Sequence, residues 1–368
     1  EIEQLRAAGG EVIPYLRSSD DIPRLGAAAK AMLPVSPIWN PTAQRELADL
    51  LRTHRPDVLH LHNPYPLLSP WVIRTAHRYR VPVVHTVHNY RQVCPAGIYF
   101  RDGEVCHDCR GRRVALPAIR HRCYRGSAAQ STVMAAALAA HRPTWRSVDR
   151  YLALTAAIAE HLRGYGVPAE RIVVKPNAVP DPGPPPAPGE GFLFASGRLV
   201  PEKGLELLLS AWRAHPDGAL GTLRIAGDGP QRPLAEQAAA ERTDVVYLGS
   251  LDPAGVRRAM REAAVVVATP TWHDVLPTVV IEALAAGRPV LGTAMGGIPY
   301  LIGDGEAGWL APPDPAALAE ALPRARAEAA ARFAAARDRY ERTFHPEVVT
   351  ARLIEVYASL HADASSRT

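Results

Sequence analysis

The sequence predicts an α/β protein made of two doubly wound parallel sheets, and three observations lead there. Short β-branched apolar runs alternate with helix-forming stretches of ten or more residues through both halves of the chain. A proline-rich stretch, 177–191, separates the halves and can continue neither sheet. Between 263 and 287, a strand, a loop and a helix place two carboxylates, Asp274 and Glu282, eight residues apart. Open α/β sheets bind ligands in that position, at the carboxyl ends of strands.

The elements follow in order. Residues 1–8 read as a helix, 44–51 as a second, 58–62 as a strand, 71–79 as a helix and 81–87 as a strand. After the helix candidate 127–140, strands are expected at 151–154 and 172–175. Residues 1–178 thus form a first Rossmann-like domain, with a cysteine-containing basic loop at 94–126, and 179–190 is a stiff interdomain linker. The second domain, 191–345, has strands at 192–196, 222–226, 245–248, 263–268 and 289–292. Asp314 and Pro315 supply a cap and a first-turn proline for an alanine-rich helix. A last helix, 346–361, carries Val349, Leu353, Val356, Tyr357 and Leu360 at helical spacing, ahead of a tail to 368.

Two segments carry chemistry. The apolar run 263–268 is bounded by Pro270, and the helix 278–286 is closed by Gly287. Asp274 therefore sits in the loop, and Glu282 lies about one turn inside the helix. The first amides of that helix, around Leu276, Thr278 and Val279, lack intrahelical acceptors, and such a terminus holds anions. In the other segment, Gly197, Arg198, Lys203 and Gly204 lie between a strand and the helix 205–214. The two glycines permit close backbone approach. The helix dipole disfavours a cation at Lys203 unless an anion shares the spot, and Arg198 offers a planar fork to phosphate oxygens. Read singly, each segment is equally a solvated surface loop; together they describe a site for a ligand with hydroxyls and phosphate.

With 47% hydrophobic and 21% charged residues, the composition is that of a globular protein. No apolar run approaches the ~18–20 residues that span a bilayer. No secretory signal is present, so the cytoplasm is the default compartment. The chain begins with Glu1 inside a helix, and an N-terminal strand and loop are expected to precede it. A net charge of +5 favours anionic partners without choosing among them. Arg110, Arg112, Arg113, Arg120, Arg122 and Arg125 crowd one stretch before the small-residue helix 127–140. That pair of features fits either peripheral contact with anionic lipid at the inner face of a membrane or a solvated loop leading to a packed helix. The only cysteines, Cys94, Cys106, Cys109 and Cys123, fall in the same region. Their C-x2-C pair with two flanking partners fits a closed structural zinc site, and the other reading is four reduced thiols. A basic zinc-containing nucleic-acid-binding protein is a competing class, but it leaves the second-domain motifs unexplained and lacks a recognition helix.

The stretches SGRLVPEKGLELLLSAW, IAGDGP and WHDVLPTVVIEALAAGRPVLGTAMGGIPYLI resemble the retaining glycosyltransferase family 4. The likeness continues upstream through DVLHLHN, VVHTVHNYRQVCPAGIYFRDGEVCHDC, HRCYRGS and VVKPNAV, so it covers nearly the whole chain. The resemblance implies a GT-B fold of two Rossmann-like domains facing a cleft, with the last helix crossing back to the first. It implies a UDP- or GDP-linked sugar as donor, a hydroxyl acceptor that can be lipid-linked, and no metal cofactor for catalysis. Nucleic acid is not an expected partner. Related GT-B enzymes, a phosphorylase or a sugar-nucleotide epimerase, are the alternative within this fold.

By the same resemblance, Arg198 and Lys203 match a cationic pair on the donor diphosphate. Asp274 and Glu282 match the two ends of the E-x7-E signature, on the sugar and ribose sides, with Arg198 and Lys203 expected to support Glu282. Gly227, Gly229 and Leu248 match positions on the nucleotide side, and Val275, Leu276 and Thr278 border the phosphate. His88 matches a histidine near the donor sugar, whereas His60, His62 and His85 have weaker claims, since alternate strand positions are as often core or packing. Two departures stand out: Asp274 where glutamate is usual, shorter by roughly 1.5 Å, and Val275 where glycine is common. The first suggests an unusual donor sugar.

Overall fold

A computed structural model describes residues 1–24, 26–187 and 189–365. The chain divides into two compact units, one of Glu1–Arg101, Cys106–Lys175 and the residues from Thr350 on, the other of Asp102–Val105 and Pro176–Val349.

The first unit begins with the strands β1 (Leu59–Leu61) and β2 (Val83–Val87). Two short strands, β3 (Phe100–Arg101) and β4 (Glu104–Val105), form a local hairpin whose second strand is counted with the second unit. Next come β5 (Arg150–Ala153) and β6 (Ile172–Val174). A parallel four-stranded sheet forms in the order β1-β2-β5-β6. All five residues of β2 are buried, as a central strand covered on both faces demands. The helix Pro41–His54 starts earlier and ends later than the apolar spacing indicates. Asn40 accepts from the Ala43 amide and Pro41 occupies the first turn, while Arg55 ends the helix with φ 47°. Caps set these ends, not periodicity. The last helix, Pro346–Ser365, outruns its expected end, and its Leu353, Val356 and Leu360 pack with Val84 and Leu152 of the first sheet. The C-terminal helix thus returns to the first unit.

The second unit holds β7 (Phe192–Arg198), β8 (Leu223–Asp228), β9 (Val245–Gly249), β10 (Val265–Ala268), β11 (Val290–Thr293) and β12 (Gly308–Ala311). They form a parallel sheet in the order β12-β11-β10-β7-β8-β9. The order reverses beside β7, a topological switch point whose strand ends open a ligand crevice. Sequence reading missed β12, a short run in which Gly308 and Trp309 break the β-branched pattern. Gly308 is required there, since a Cβ would lie 2.0 Å from the Val290 carbonyl oxygen.

The proline-rich stretch is not a free spacer. Arg337 forms a two-pronged bond to Asp181 at 2.8 Å on each arm and also donates to the Ala285 carbonyl at 2.7 Å. The buried Arg288 donates to the carbonyls of Ala187 and Arg261. Two arginines thereby strap the stretch to the second unit; Pro188 lies outside the described residues.

Candidate functional site

In the second unit the site grows from the ends of β7, β8 and β10. Arg198 is exposed at the end of β7, in register with Asp228. The Leu199 amide donates to the Asp228 carbonyl at 2.8 Å. Gly229 presses on this turn so closely that a Cβ would sit 2.7 Å from the Leu199 oxygen, and Gly227 has φ 143°. The Gly227–Gly229 loop therefore lies against the Arg198 turn. Leu248 is half-buried near the end of the neighbouring β9.

Lys203 ends the tight turn Pro201–Lys203. Gly204 follows with φ 76°, and a Cβ there would fall 1.7 Å from the Thr269 carbonyl oxygen. The Thr269 hydroxyl donates to the Gly204 carbonyl at 3.0 Å, and the Thr271 amide donates to that of Glu202 at 3.0 Å. These bonds fasten the lysine turn to the loop after β10. Lys203 Nζ consequently donates to Asp274 Oδ2 at 2.6 Å and stands 5.8 Å from the centre of the Trp272 ring. Asp274 is 8% exposed, and its carbonyl accepts from the Gly297 amide at 2.8 Å. Gly296, φ 55°, allows this approach, since a Cβ would meet the Asp274 oxygen at 2.2 Å. Val275 is buried and lies outside the left-handed region, so no glycine is needed at that point.

The helix Thr278–Ala285 begins after Pro277, with Leu276 packed into the apolar cluster beneath it. Glu282 lies one turn along, half-buried. Burial raises its pKa, opposed in part by the Thr278 hydroxyl and by the charge of Arg257. The sequence paired Glu282 with Arg198 and Lys203; the structure corrects this. Lys203 is drawn to Asp274, and the cation acting on Glu282 is Arg257 of the helix Pro253–Glu262. Trp272, Thr269 and Gly296 escaped sequence reading, although Trp272 and Gly296 lie within the quoted motif.

In the first unit, His88 follows β2. Its Nε2 meets His62 Nδ1 at 2.8 Å, and His62 Nε2 lies 3.3 Å from the Glu1 carboxylate. The Glu1 carboxylate can only accept, so His62 Nε2 donates to it while His62 Nδ1 faces His88. Burial, reinforced by His62, lowers the His88 pKa to about 4, so the ring is neutral near pH 7. His62, given only a weaker claim from sequence, stands in hydrogen-bond contact with His88. His85 is a packing residue, buried against Trp145 and bonded to the Leu61 carbonyl. Glu1, His60 and His62 bring donor atoms within 4.8 Å of one another. Both His60 nitrogens are already engaged, by Tyr357 and Thr86, and Lys175 pairs with Glu1, which disfavours a metal there.

The basic stretch shapes a second feature of this unit. Arg110, Arg112, Arg113 and Arg142 line one cavity with Gln92 and His161, and no carboxylate lines it. His161 accepts from the Tyr99 hydroxyl at 3.3 Å and donates to Gln92 Oε1 at 3.2 Å. Burial and Arg110 lower its pKa to about 4. The Tyr165 hydroxyl, on the same lining, is buried without a hydrogen-bond partner. The small-residue helix Ala128–Ala140 is packed, burying Met134, Ala135, Ala137 and Leu138. Among the described residues no helix is long and apolar enough to cross a membrane. All four cysteines line a further small cavity.

Comparison with known proteins accounts for most of the chain. The family described as glycosyl transferase 4-like domain matches residues 2–178, and that described as glycosyl transferases group 1 matches 190–327. Phosphatidyl-myo-inositol mannosyltransferase of Mycobacterium leprae is 28% identical over 337 residues, covering 87% of this chain and 80% of that protein. D-inositol 3-phosphate glycosyltransferase of Nocardia farcinica is 30% identical over 282 residues, covering 69% and 55%. The crystal structure of Anabaena HepE in complex with UDP superposes with a TM-score of 0.62 at 16% identity, covering 91% of this chain and 96% of that one. The two parallel sheets and these neighbours make the fold GT-B.

Proposed function

The chain belongs to the family-4-like glycosyltransferases, and from that premise we propose that it moves a sugar from a UDP- or GDP-linked donor to an acceptor hydroxyl with retention of configuration. The assembly of a glycolipid or polysaccharide is the process it serves. The observation that carries this reading is the Lys203–Asp274 pair at 2.6 Å, set beside the Arg198 turn and the start of the Glu282 helix.

In the donor complex Lys203 exchanges the carboxylate for the diphosphate, joined by Arg198. The bond from the anomeric carbon to the diphosphate oxygen breaks, and its electron pair leaves with the diphosphate. Preorganised cations aimed at that developing charge lower the barrier by several kcal/mol. Asp274, released from Lys203, turns to the sugar hydroxyls, and Glu282 takes the ribose hydroxyls. Neutral His88 accepts a hydroxyl of the transferred sugar. The acceptor oxygen attacks from the face the diphosphate leaves, and a phosphate oxygen takes its proton. On the acceptor side, the arginine-lined cavity suits a phosphate group. Two relatives whose names specify phosphatidyl-inositol and inositol phosphate favour an anionic, lipid-linked acceptor over a neutral one.

The test is a thermal-shift and turnover screen against UDP- and GDP-sugars, with the product's anomeric configuration read by NMR. A rise in melting midpoint with one diphosphate and its sugars, and a product of the donor's configuration, are expected. An inverted product would overturn retention; no shift with any nucleotide diphosphate would overturn the donor assignment.

A further inference from the structure

We propose that Cys94, Cys106, Cys109 and Cys123 bind one zinc ion as a structural tetrathiolate site that pins the segment carrying Arg110, Arg112 and Arg113. Zinc is independent of the transfer chemistry, since four thiolates leave no open position for substrate or water.

Three observations support the site. All four cysteines of the chain line one cavity, although 29 residues separate the first from the last. Cys109 and Cys123 stand in turns, and Cys94 and Cys106 directly follow a turn and a hairpin. The Cys94 amide donates to the Tyr90 carbonyl, Cys106 follows the β3–β4 hairpin with its amide on Tyr99, and Cys123 closes the helix Leu116–Arg120 onto Ala118. A hairpin leading into C-x2-C is a geometry from which both sulfurs can point to one centre. Finally, apart from the buried Tyr99 the segment has little apolar support. Its apolar cluster is Ala115, Ala118 and Ala135, against which Cys109, Ile119 and Cys123 pack. Yet Tyr99, Asp102, Arg122 and Arg125 all adopt positive φ, which ordinary side chains resist. Small elements without a core are held by disulfides or metals, and all four cysteines are free thiols.

Zinc–sulfur bonds of about 2.3 Å draw the sulfurs inward from a looser arrangement in which no three lie within 4.8 Å of one another. The side chains stand in or beside turns and can rotate to close that gap. Binding releases the thiol protons to solvent. The resulting cluster carries two net negative charges, and Arg101, on the cavity wall, faces them.

The experiment uses the full chain, purified under reducing conditions without chelator. Elemental analysis is expected to find about one zinc per chain, and cobalt exchange should give the sulfur-to-metal charge-transfer bands of a tetrahedral thiolate site. Cys106→Ser should lose the metal. Stripping zinc from the wild type should open residues 94–126 to proteolysis while the nucleotide-induced thermal shift persists, which separates loss of the site from global unfolding. Metal-free protein with four titratable thiols, protein with two disulfides, or zinc retained by Cys106→Ser would each overturn the proposal.

Discussion

The donor-side loops of the second unit and the cysteine–arginine segment of the first both place charged side chains in loops, and they hold those loops in opposite ways. In the second unit every site loop is fastened to a strand end. Gly204 lies on Thr269, Gly296 on Asp274 and Gly229 on Leu199, at distances that exclude a Cβ. Beneath them lie two large apolar clusters containing β7, β8 and β10. The segment 94–126 rests on the buried Tyr99 and a small alanine cluster, and Tyr99, Asp102, Arg122 and Arg125 within it adopt positive φ. Backbone contact with a sheet fixes charge to within hydrogen-bond tolerance. A segment without that contact depends on a cross-link or on its ligand.

Lys203→Ala puts the contrast to its hardest test. A cation anchored at 2.6 Å from its partner is already positioned for the diphosphate, so its loss should cost about 100- to 1,000-fold in kcat. Steady-state kinetics with saturating donor reads this directly; a change below tenfold would mean that the anchored site is not where charge develops. Arg113→Ala, on the arginine-lined cavity, is the counterpart in the weakly supported region. It should raise the KM for an anionic acceptor by roughly tenfold, the order of one charge-assisted bond, and leave donor KM alone. An equal effect on a phosphate-free acceptor would remove the arginine-lined cavity from the acceptor's path.

The same difference explains what could be read from the sequence. Periodicity and bounding prolines indicate strands such as β10, where four β-branched or small residues lie fully between helices. The Asp274–Glu282 spacing is equally plain, because both residues hang on one strand–loop–helix unit. Which cation meets which carboxylate is not, since that depends on the Gly204–Thr269 and Thr271–Glu202 contacts between segments more than sixty residues apart. His62 hid for a related reason. Alternation along β1 and the residues after it cannot show that His62 meets His88 from the adjacent strand at 2.8 Å. The arginines were legible as a charged run, but their convergence on one cavity depends on turns with no local sequence period.

The smallest effect is expected at Glu282, and its sign tells function from structure. Burial raises the Glu282 pKa above its unfolded value, so the folded state holds the proton more tightly. The stability this provides is present in full below the unfolded pKa and is lost as pH rises through the folded one. Burial of the charged carboxylate is therefore a net cost to the fold at higher pH, which Thr278 and Arg257 offset only in part. Glu282→Gln keeps the shape and removes the charge, so it should raise the melting midpoint at pH 7 and converge with wild type toward pH 4. Donor affinity should fall in the same variant, because the amide accepts ribose hydroxyls less strongly than a carboxylate. A residue retained for the fold would behave the other way, melting lower when neutralised. Paired melting curves at the two pH values, with and without nucleotide diphosphate, decide between them, and a lower midpoint at pH 7 would return Glu282 to a structural role and leave the ribose without its partner.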